Sequence, residues 1–262
     1  MCKVIAIALE KGGVGKTTTT CNLGAGLVRE GRRVLLIDLD PQGSLTSSLG
    51  FDKEAIENPI DKGLESIFND EMENSTVSAA ESVLTHSEGM SLIGSNNRLT
   101  VTEINLQKAF NREHVLETFL NDVRSEYDFI LIDCPPSLGL LTVNALTCAD
   151  SIIIPMQAAK LSVDSLEQTI RMIGRIKKSL NPDLTIMGIL ITMATRTNYH
   201  KGIYEAITEA YGDNINIFTP IPRSVRVEEQ AALGVSIFNY DPRGKAAAAY
   251  ASVAKEVLDY EK

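Results

Sequence analysis

The sequence predicts an α/β fold, in which a mainly parallel, twisted sheet is flanked by helices on both faces. Short apolar runs alternate with helical stretches from one end of the chain to the other. The runs are continuously apolar, without the apolar–polar alternation of half-exposed strands, and this is typical of strands buried on both faces. Strands and helices that alternate in this way predict a parallel sheet covered by helices.

The individual elements follow from these patterns in chain order. The predicted strands are Lys3–Leu9, Arg33–Leu39, Ser91–Gly94, Asp128–Asp133, Ser151–Pro155, Thr185–Thr192 and Asn216–Pro220. Helices fill most of the gaps, most clearly at Val101–Arg124 and Ser162–Leu180. The polar segment Asp52–Ser91 is predicted to form surface loops and short helices. Because the chain has no internal repeat and no linker-like segment, residues 1–262 are predicted to form a single domain.

Composition and charge restrict the class of protein. Hydrophobic residues make up 44% of the 262 residues and charged residues 23%, which is ordinary for a globular protein. Since no apolar run approaches the roughly 20 residues needed to span a bilayer, we expect a cytoplasmic protein with no membrane partner. The net charge of −9 counts against a protein that coats nucleic acid through its overall charge. Any contact with DNA therefore requires a local basic patch.

A glycine-rich loop follows the first predicted strand. It reads Lys11-Gly12-Gly13-Val14-Gly15-Lys16-Thr17-Thr18, and a helical stretch follows to about Glu30. Glycines let backbone N–H groups turn inward around an anion, and the N-terminus of the next helix adds partial positive charge. In this context we expect a phosphate-binding loop, with Lys16 on the β- and γ-phosphates and the Thr17 hydroxyl on Mg²⁺. This is the loop of a P-loop NTPase.

Aspartates end two of the predicted strands. Asp38 and Asp40 follow the apolar run Leu35-Leu36-Ile37, and Asp133 follows Phe129-Ile130-Leu131-Ile132. In a parallel sheet these strand ends lie beside the phosphate loop. The second arrangement is typical of the Walker B aspartate of a magnesium site. An aspartate at a strand end also often caps a helix, so each motif alone is weak evidence for a metal site. The neighbouring phosphate loop makes the two motifs strong evidence.

The loop departs from the general pattern in an informative way. Glu10 stands where G-x-x-x-x-G-K-[ST] has glycine, and Lys11 adds a second lysine. The motif resembles the deviant Walker A loop of the MinD/ParA superfamily. Together with Asp38–Gly43, Asp133–Gly139, Pro220–Arg226 and Tyr240–Arg243, it resembles the ParA/Soj family of DNA-partitioning ATPases. The resemblance covers nearly the whole chain.

The resemblance implies roles for the lysines and threonines of the loop. Lys16 binds the phosphates of its own subunit, whereas Lys11 reaches those of the partner subunit, so we expect an ATP-dependent sandwich homodimer. Thr18 touches the α-phosphate. The remaining backbone contacts to ATP come from Gly12, Gly13, Val14 and Gly15.

The same resemblance assigns the metal, the water and the base. Thr17, Asp38 and Asp133 are the candidate residues of the Mg²⁺ site, and Asp40 orients the attacking water. Pro222 and Ser224 fall where the family contacts adenine, although the family usually has asparagine at the second position.

Partners are also implied. Arg196 and Arg226 fall where family members bind DNA without sequence preference. Arg171, Arg175 and Lys178 lie on one side of a predicted helix, where either a DNA contact or a solvated face explains them. A ParB-like DNA-binding partner is expected to stimulate ATP hydrolysis. The ATP-bound protein is expected to be associated with the nucleoid, and the cargo is a chromosome, a plasmid or a mobile element.

Other functions share this loop. A MinD-like positioning ATPase needs a basic amphipathic C-terminal helix, and residues 246–262 offer alanines with mixed charges instead. An iron–sulfur relative needs paired cysteines, but the four cysteines include no C-x-x-C pair. Arsenite-pump relatives carry duplicated loops, and this chain has one. A metabolic ATPase needs an acceptor site, for which the sequence offers no candidate.

Overall fold

The computed structural model describes residues 2–68 and 77–261. Seven strands form one sheet in the order β3-β4-β2-β5-β1-β6-β7. Their bounds are β1 Lys3–Ile7, β2 Val34–Asp38, β3 Val83–Thr85, β4 Ser91–Ile93, β5 Phe129–Asp133, β6 Ser151–Gln157 and β7 Thr185–Thr192. All neighbouring strands are parallel except the β3–β4 pair. The predicted α/β fold class is confirmed.

Helices cover both faces of this sheet. They are α1 Lys16–Arg29, α2 Ser44–Ser48, α3 Ile60–Phe68, α4 Leu99–Leu106, α5 Val115–Leu120, α6 Leu140–Cys148, α7 Lys160–Ser179, α8 Asn198–Tyr211, α9 Val225–Ala232, α10 Ile237–Tyr240 and α11 Lys245–Tyr260. Within residues 2–68 and 77–261, none of these helices combines the length and the apolar character that a membrane-spanning helix needs.

The two cores explain why the strands read as continuously apolar. In β1, Val4 and Ala6 face a core built with α3 to α8. Ile5 and Ile7 face the opposite core, built with α1, α2, α10 and α11. Because each face of the sheet is buried under helices, the interior side chains of these central strands need to be apolar. The carboxyl ends of the strands meet at one edge, where the loops after β1, β2 and β5 lie together.

The predicted strand Asn216–Pro220 is not a strand in the structure. The segment runs beside β7 but forms only isolated bridges, Ile189 with Ile217 and Ala194 with Pro222. A continuous ladder fails because Pro220, the next donor position after Phe218, has no N–H to donate. Between the bridges, the N–H of Thr219 turns away to the carboxylate of Glu256, at 3.2 Å.

The predicted helix Val101–Arg124 is also wrong as one element. Helix α4 ends at Leu106, and α5 begins only at Val115. Asn111 adopts a left-handed conformation with φ of 50°, which a continuing helix does not permit. Asn144 of α6 satisfies backbone groups at this interruption. Its side chain accepts a hydrogen bond from the N–H of Leu116 at 3.1 Å and donates one to the carbonyl of Arg112 at 2.8 Å.

The polar segment Asp52–Ser91 contains a short helix, α3, as predicted. It also contains an edge strand that was not predicted, β3, which pairs antiparallel with β4. Part of the segment, residues 69–76, lies outside the described residues. By contrast, the predicted helix Ser162–Leu180 is confirmed as α7, whose inner side is formed by Leu166, Ile173 and Ile176.

Candidate functional site

The glycine-rich loop connects β1 to α1 at the carboxyl edge of the sheet. Gly13 and Gly15 adopt φ of +70° and +87°, which glycine tolerates and other residues rarely adopt. A Cβ built on Gly12 or Gly13 meets no atom within 4 Å, so the loop surrounds open space. Among the residues the structure describes, the N–H groups of Val14 and Gly15 have no acceptor. The loop is thus a concave row of donors beside a helix N-terminus.

Lys16 lies beneath this loop with a relative exposure of only 7%. Its ammonium donates to the carbonyl of Lys11 at 2.9 Å and to that of Leu9 at 3.3 Å. Burial lowers its pKa, and the nearby Asp133 opposes this shift. Lys11 is half-buried in the loop, and its N–H donates to the carbonyl of Leu9 at 2.7 Å. The two lysines therefore lie at the same edge of the sheet, as predicted.

Two residues that the sequence did not reveal hold the outer side of the loop. Gln157, at the end of β6, donates from Nε2 to the carbonyl of Gly13 at 2.7 Å. Thr192, at the end of β7, donates from Oγ1 to the carbonyl of Val14 at 2.7 Å. The two residues are paired in register. The only signal for them was their position as polar residues closing apolar strands.

Asp133 ends β5 directly beside α1. The Thr17 hydroxyl donates to its Oδ2 at 2.7 Å, and the Thr20 hydroxyl lies 3.4 Å from its Oδ1. The carboxylate is 1% exposed. Burial raises its pKa well above the usual range, and the neighbouring charge of Asp38 adds to that shift. A carboxylate in this environment gains most from a nearby cation.

Asp38 lies next to Asp133, in register across the β2–β5 pair. Its Oδ2 accepts from the N–H and the hydroxyl of Thr46, at 2.8 and 2.7 Å. Its Oδ1 accepts from the N–H of Asp40 at 3.2 Å. Burial raises the pKa of Asp38 to about 6, although these hydrogen bonds favour the charged form. The structure brings this candidate metal residue to the site, but its oxygens already hold the loop after β2.

Asp40 follows Asp38 at the mouth of the site. Its Oδ1 accepts from the N–H of Gln42 at 2.9 Å, which forms a local turn. Its negative charge is among those that raise the pKa of Lys16. Among the described residues, Oδ2 of Asp40 has no hydrogen-bond donor, and that oxygen is available to a water or a ligand.

A cavity of about 140 Å³ opens beside the loop. It is lined on the loop side by Gly15 and Thr18 and on the other side by the predicted base contacts Pro222 and Ser224. Its apolar walls come from Ile221, Val227, Ala231 and Tyr250. Tyr250 belongs to α11 and was not predicted from the sequence. Apolar walls beside a phosphate loop are the surroundings that a nucleoside base requires.

The same residues can be tested for their fit to a magnesium–triphosphate ligand. The unpaired N–H donors of the loop suit phosphate oxygens, and Lys16 can add a charge from beneath. The Thr17 hydroxyl and the Asp133 carboxylate are oxygen donors, the type that Mg²⁺ prefers. They already lie together at 2.7 Å. The donor set fits, whereas Asp38 fits a structural role better.

The predicted DNA-contact residues lie on two adjacent segments. Arg196 is exposed in the loop between β7 and α8, and Arg226 is exposed in the first turn of α9. The bridge between Ala194 and Pro222 holds these segments side by side. Arg226 is partly engaged, because it pairs with Glu229 at 3.0 Å and stacks over Tyr240. On α7, Arg171, Arg175 and Lys178 are exposed, and Arg171 pairs with Glu167.

Comparison with known proteins places this geometry in a family. Residues 2–186 match a family model described as an AAA domain. The chain is 42% identical to the sporulation initiation inhibitor protein Soj of Bacillus subtilis over 258 residues, 98% of each protein. It is 38% identical to the chromosome partitioning protein ParA of Caulobacter vibrioides, covering 99% of this chain and 95% of the relative.

Solved structures agree with this placement. A cobyrinic acid a,c-diamide synthase from Mycobacterium smegmatis, with bound ADP and magnesium, matches with a TM-score of 0.85 and 34% identity. That match covers 100% of this chain and 96% of the other. A plasmid partition protein from Borrelia burgdorferi, described as putative and bound to AMPPNP, matches with a TM-score of 0.79 and 26% identity, covering 99% of each chain.

Proposed function

The chain belongs to the ParA and Soj family of P-loop ATPases, and we propose that it is the ATPase of a DNA-partitioning system. One observation carries this proposal. The two-lysine loop, the Thr17–Asp133 pair and Asp40 converge at one sheet edge, in a chain 42% identical to Soj over nearly its whole length. The cargo is a chromosome, a plasmid or a mobile element.

We propose ATP with Mg²⁺ as the ligand of this site. Lys16 would leave the carbonyls of Leu9 and Lys11 for the phosphates, which offer a stronger, charged acceptor. Thr17 and Asp133 would hold the magnesium, Asp133 through water, and Pro222 and Ser224 would contact the adenine. Magnesium, when bound, neutralises charge on the β- and γ-phosphates. Asp40 would accept a hydrogen bond from the attacking water through its Oδ2.

Dimerisation is the second part of the proposal. Lys16 already places one positive charge beneath the loop. A second lysine, Lys11, is therefore not required for that role. A second cation on the same loop is explained if it serves phosphates bound by another copy of the chain. ATP would then hold two subunits together, and hydrolysis would release them.

DNA binding is the third part, and it concerns Arg196 and Arg226. The protein has a net charge of −9, so single patches bind DNA weakly. A dimer would place two such patches on one duplex. We propose that the ATP-bound dimer binds DNA without sequence preference, that it is thereby associated with the nucleoid, and that a ParB-like partner stimulates hydrolysis.

A membrane-positioning function is less well supported. Helix α11 offers no free amphipathic face for such a function, because its apolar residues are buried in the core that includes α1, among them Tyr250, Val253 and Val257. That face is not available to a lipid surface.

The nucleotide site is tested by separating its two lysines. Lys16→Ala should abolish tight MgATP binding, measured by titration with a fluorescent ATP analogue. Lys11→Ala should bind the nucleotide as a monomer and fail to dimerise, measured by light scattering with ATP. Undiminished affinity in a folded Lys16→Ala protein would remove the phosphate-site assignment. A normal ATP-dependent dimer of Lys11→Ala would remove the intersubunit role.

DNA binding is tested with charge reversals. Arg196→Glu and Arg226→Glu should weaken binding to any duplex and make its salt dependence shallower, because fewer counterions are released. Arg32→Glu is a matched control, since Arg32 is exposed just before β2, at the opposite edge of the sheet. If the wild-type protein with ATP shows no salt-sensitive DNA binding, the partition function is wrong.

A second candidate is favoured by one observation. The cobyrinic acid a,c-diamide synthase structure shares 34% identity over the whole chain. An ATP-dependent synthase of that kind would hydrolyse ATP only with its acceptor present. The two candidates are separated by measuring hydrolysis with duplex DNA and, separately, with cobyrinic acid; the partition function predicts no response to cobyrinic acid.

A further inference from the structure

The outer side of the phosphate loop is held by a side chain that no motif includes. Gln157 lies at the end of β6, two strands' width away from the Thr17–Asp133 pair, and its amide nitrogen reaches back to the carbonyl of Gly13 at 2.7 Å. The same nitrogen lies 3.0 Å from the sulfur of Met193. Thr192, its partner in register, holds the next carbonyl along the loop, that of Val14.

These two bonds determine where the loop's donors point. The peptide groups of the loop are trans, and in a trans peptide the carbonyl and the following N–H point in opposite directions. Fixing the carbonyl of Gly13 outward therefore directs the N–H of Val14 inward. Fixing the carbonyl of Val14 directs the N–H of Gly15 inward in the same way.

The loop needs such an external restraint. Gly12 and Gly13 meet nothing within 4 Å on their Cβ side, and Gly13 has φ of +70°. Glycine populates both signs of φ about equally, so a peptide plane flanked by glycine can turn over at little cost. A flipped plane would present a carbonyl oxygen to the phosphate instead of an N–H. The restraint must come from outside the loop, and β6 and β7 provide it.

We infer that Gln157 is a positioning residue, which fixes the Gly13–Val14 peptide plane so that the Val14 N–H faces the nucleotide phosphates. The inference rests on the proposed nucleotide site and deepens it. Gln157 does not itself touch the reacting atoms. Its neighbour Met193 keeps the amide in place from the other side, and Met193 is itself fixed in a left-handed conformation with φ of 51°.

The test uses two variants of nearly the same shape. Gln157→Met removes the donor and should weaken MgADP and MgATP binding by about 5-fold, the scale of one lost hydrogen bond. Gln157→Glu places an acceptor against the Gly13 carbonyl and should weaken binding further, by about 20-fold or more. The order of affinity, glutamine above methionine above glutamate, should hold for both nucleotides in titration calorimetry with the full chain.

The neutral Gln157→Met variant separates positioning from charge, and matched controls separate an effect at position 157 from a general effect of the substitutions. Gln168→Met and Gln168→Glu make the same changes on the exposed face of α7 and should leave the affinity unchanged within about 2-fold. The melting temperature of nucleotide-free Gln157→Met should stay within about 2 °C of wild type, because the residue is not fully buried.

The outcomes are distinct. If the wild-type protein binds neither nucleotide, the proposed function fails and takes this inference with it. A second outcome is that the wild type binds and both Gln157→Met and Gln157→Glu bind as tightly as the wild type. Gln157 then does not position the loop, although the nucleotide site stands. If Gln157→Met loses affinity only in proportion to a lowered melting temperature, its role is structural, and the inference is wrong.

Discussion

The ends of β2 and β5 lie side by side, and each carries a buried aspartate, but the two carboxylates are held differently. Asp38 accepts from two backbone N–H groups and one hydroxyl, all within its own following loop and α2. Within residues 2–68 and 77–261, Asp133 accepts only from hydroxyls of α1, those of Thr17 and Thr20. A hydroxyl can rotate and offer its own oxygen to a cation, whereas a backbone N–H cannot. The position of an aspartate at a strand end therefore does not by itself determine its function. The groups that donate hydrogen bonds to the carboxylate do.

The largest expected effect distinguishes Asp133 from Asp38. Asp133→Asn should lower magnesium-dependent hydrolysis by about 100-fold, because the ligand set of the cation loses its charge. Stability without nucleotide should not fall, since a buried carboxyl with a raised pKa is removed. Single-turnover hydrolysis and urea unfolding measure the two effects.

Asp38→Asn is the control for this experiment. It should lower the free energy of unfolding by about 1–3 kcal/mol, because its new amide donor faces a donor of the loop. Hydrolysis by the folded fraction should change far less. If the folded Asp38→Asn protein loses magnesium dependence as completely as Asp133→Asn, both carboxylates serve the metal and the contrast is wrong.

Asp40 provides the next test, at the mouth of the same two strands. Asp40→Ala should reduce hydrolysis by about 10-fold or more, the scale of a lost polar catalyst. Nucleotide affinity should remain within about 2-fold, because Lys16, Thr17 and the loop amides are unchanged. The mutant should accumulate as an ATP-bound dimer.

Asp40→Asn distinguishes the catalytic role from the turn. Asparagine keeps the acceptor for the Gln42 N–H but loses the negative charge. Wild-type hydrolysis in Asp40→Ala would assign the water-positioning role elsewhere. Full activity in Asp40→Asn together with loss in Asp40→Ala would mean that the turn, and not the charge, matters.

The pH dependence of stability sharpens the comparison further. The pKa of Asp38 is raised from 3.8 to about 6, so the folded state binds its proton more tightly than the unfolded state does. Stability must then rise as the pH falls from 7 through 6, and the gain is complete only below the unfolded pKa. Asp133 acts in the same direction. Between pH 7 and pH 5, Asp38 alone should add roughly 1 kcal/mol.

Urea unfolding of the nucleotide-free protein at pH 7, 6 and 5 measures this contribution. The pH dependence should be weaker in Asp38→Asn, which removes one carboxyl and also one cause of the raised pKa of Asp133. A wild-type protein that loses stability between pH 7 and pH 5 would contradict the assigned directions.

The smallest expected effect concerns the two hydroxyls on Asp133. Thr20 lies 3.4 Å away and also donates to the carbonyl of Lys16, whereas Thr17 lies at 2.7 Å. Thr20→Val should change the magnesium requirement by less than about 3-fold, since it removes a weak bond. Thr17→Val should change it by at least about 10-fold. Equal effects would make the two threonines interchangeable.

Much of the fold could be predicted because burial on both faces leaves a strong mark. The apolar runs at β1, β2, β5, β6 and β7 are unmistakable, and the loop at 11–18 lies where predicted. β3 was missed because it is a three-residue edge strand with no fully buried residue, so its side chains carry no burial pattern. The segment 216–220 does not form the predicted strand, because its apolar residues pack like a strand while Pro220 prevents the ladder.

The site was predictable where a motif is local and not where it depends on tertiary contacts. Lys16, Thr17 and Asp133 come together as expected. The roles assigned to Lys11, Asp40, Arg196 and Arg226 stay predictions. The saturated bonding of Asp38 depends on Thr46, eight residues later, and Tyr250 enters the base cavity from α11. Neither contact leaves a periodic or local signal.

The position of Tyr250 has a consequence for how the protein matures. It lines the same cavity as Gly15 and Thr18, which lie more than 200 residues earlier in the chain. During synthesis the phosphate loop is made well before α11, so the cavity lacks its Tyr250 side until α11 has been added. Closing such a distant contact is slow, because its loop entropy must be overcome first. The cavity therefore requires α11, and a ligand that needs the whole cavity selects folded chains that contain this helix over shorter ones.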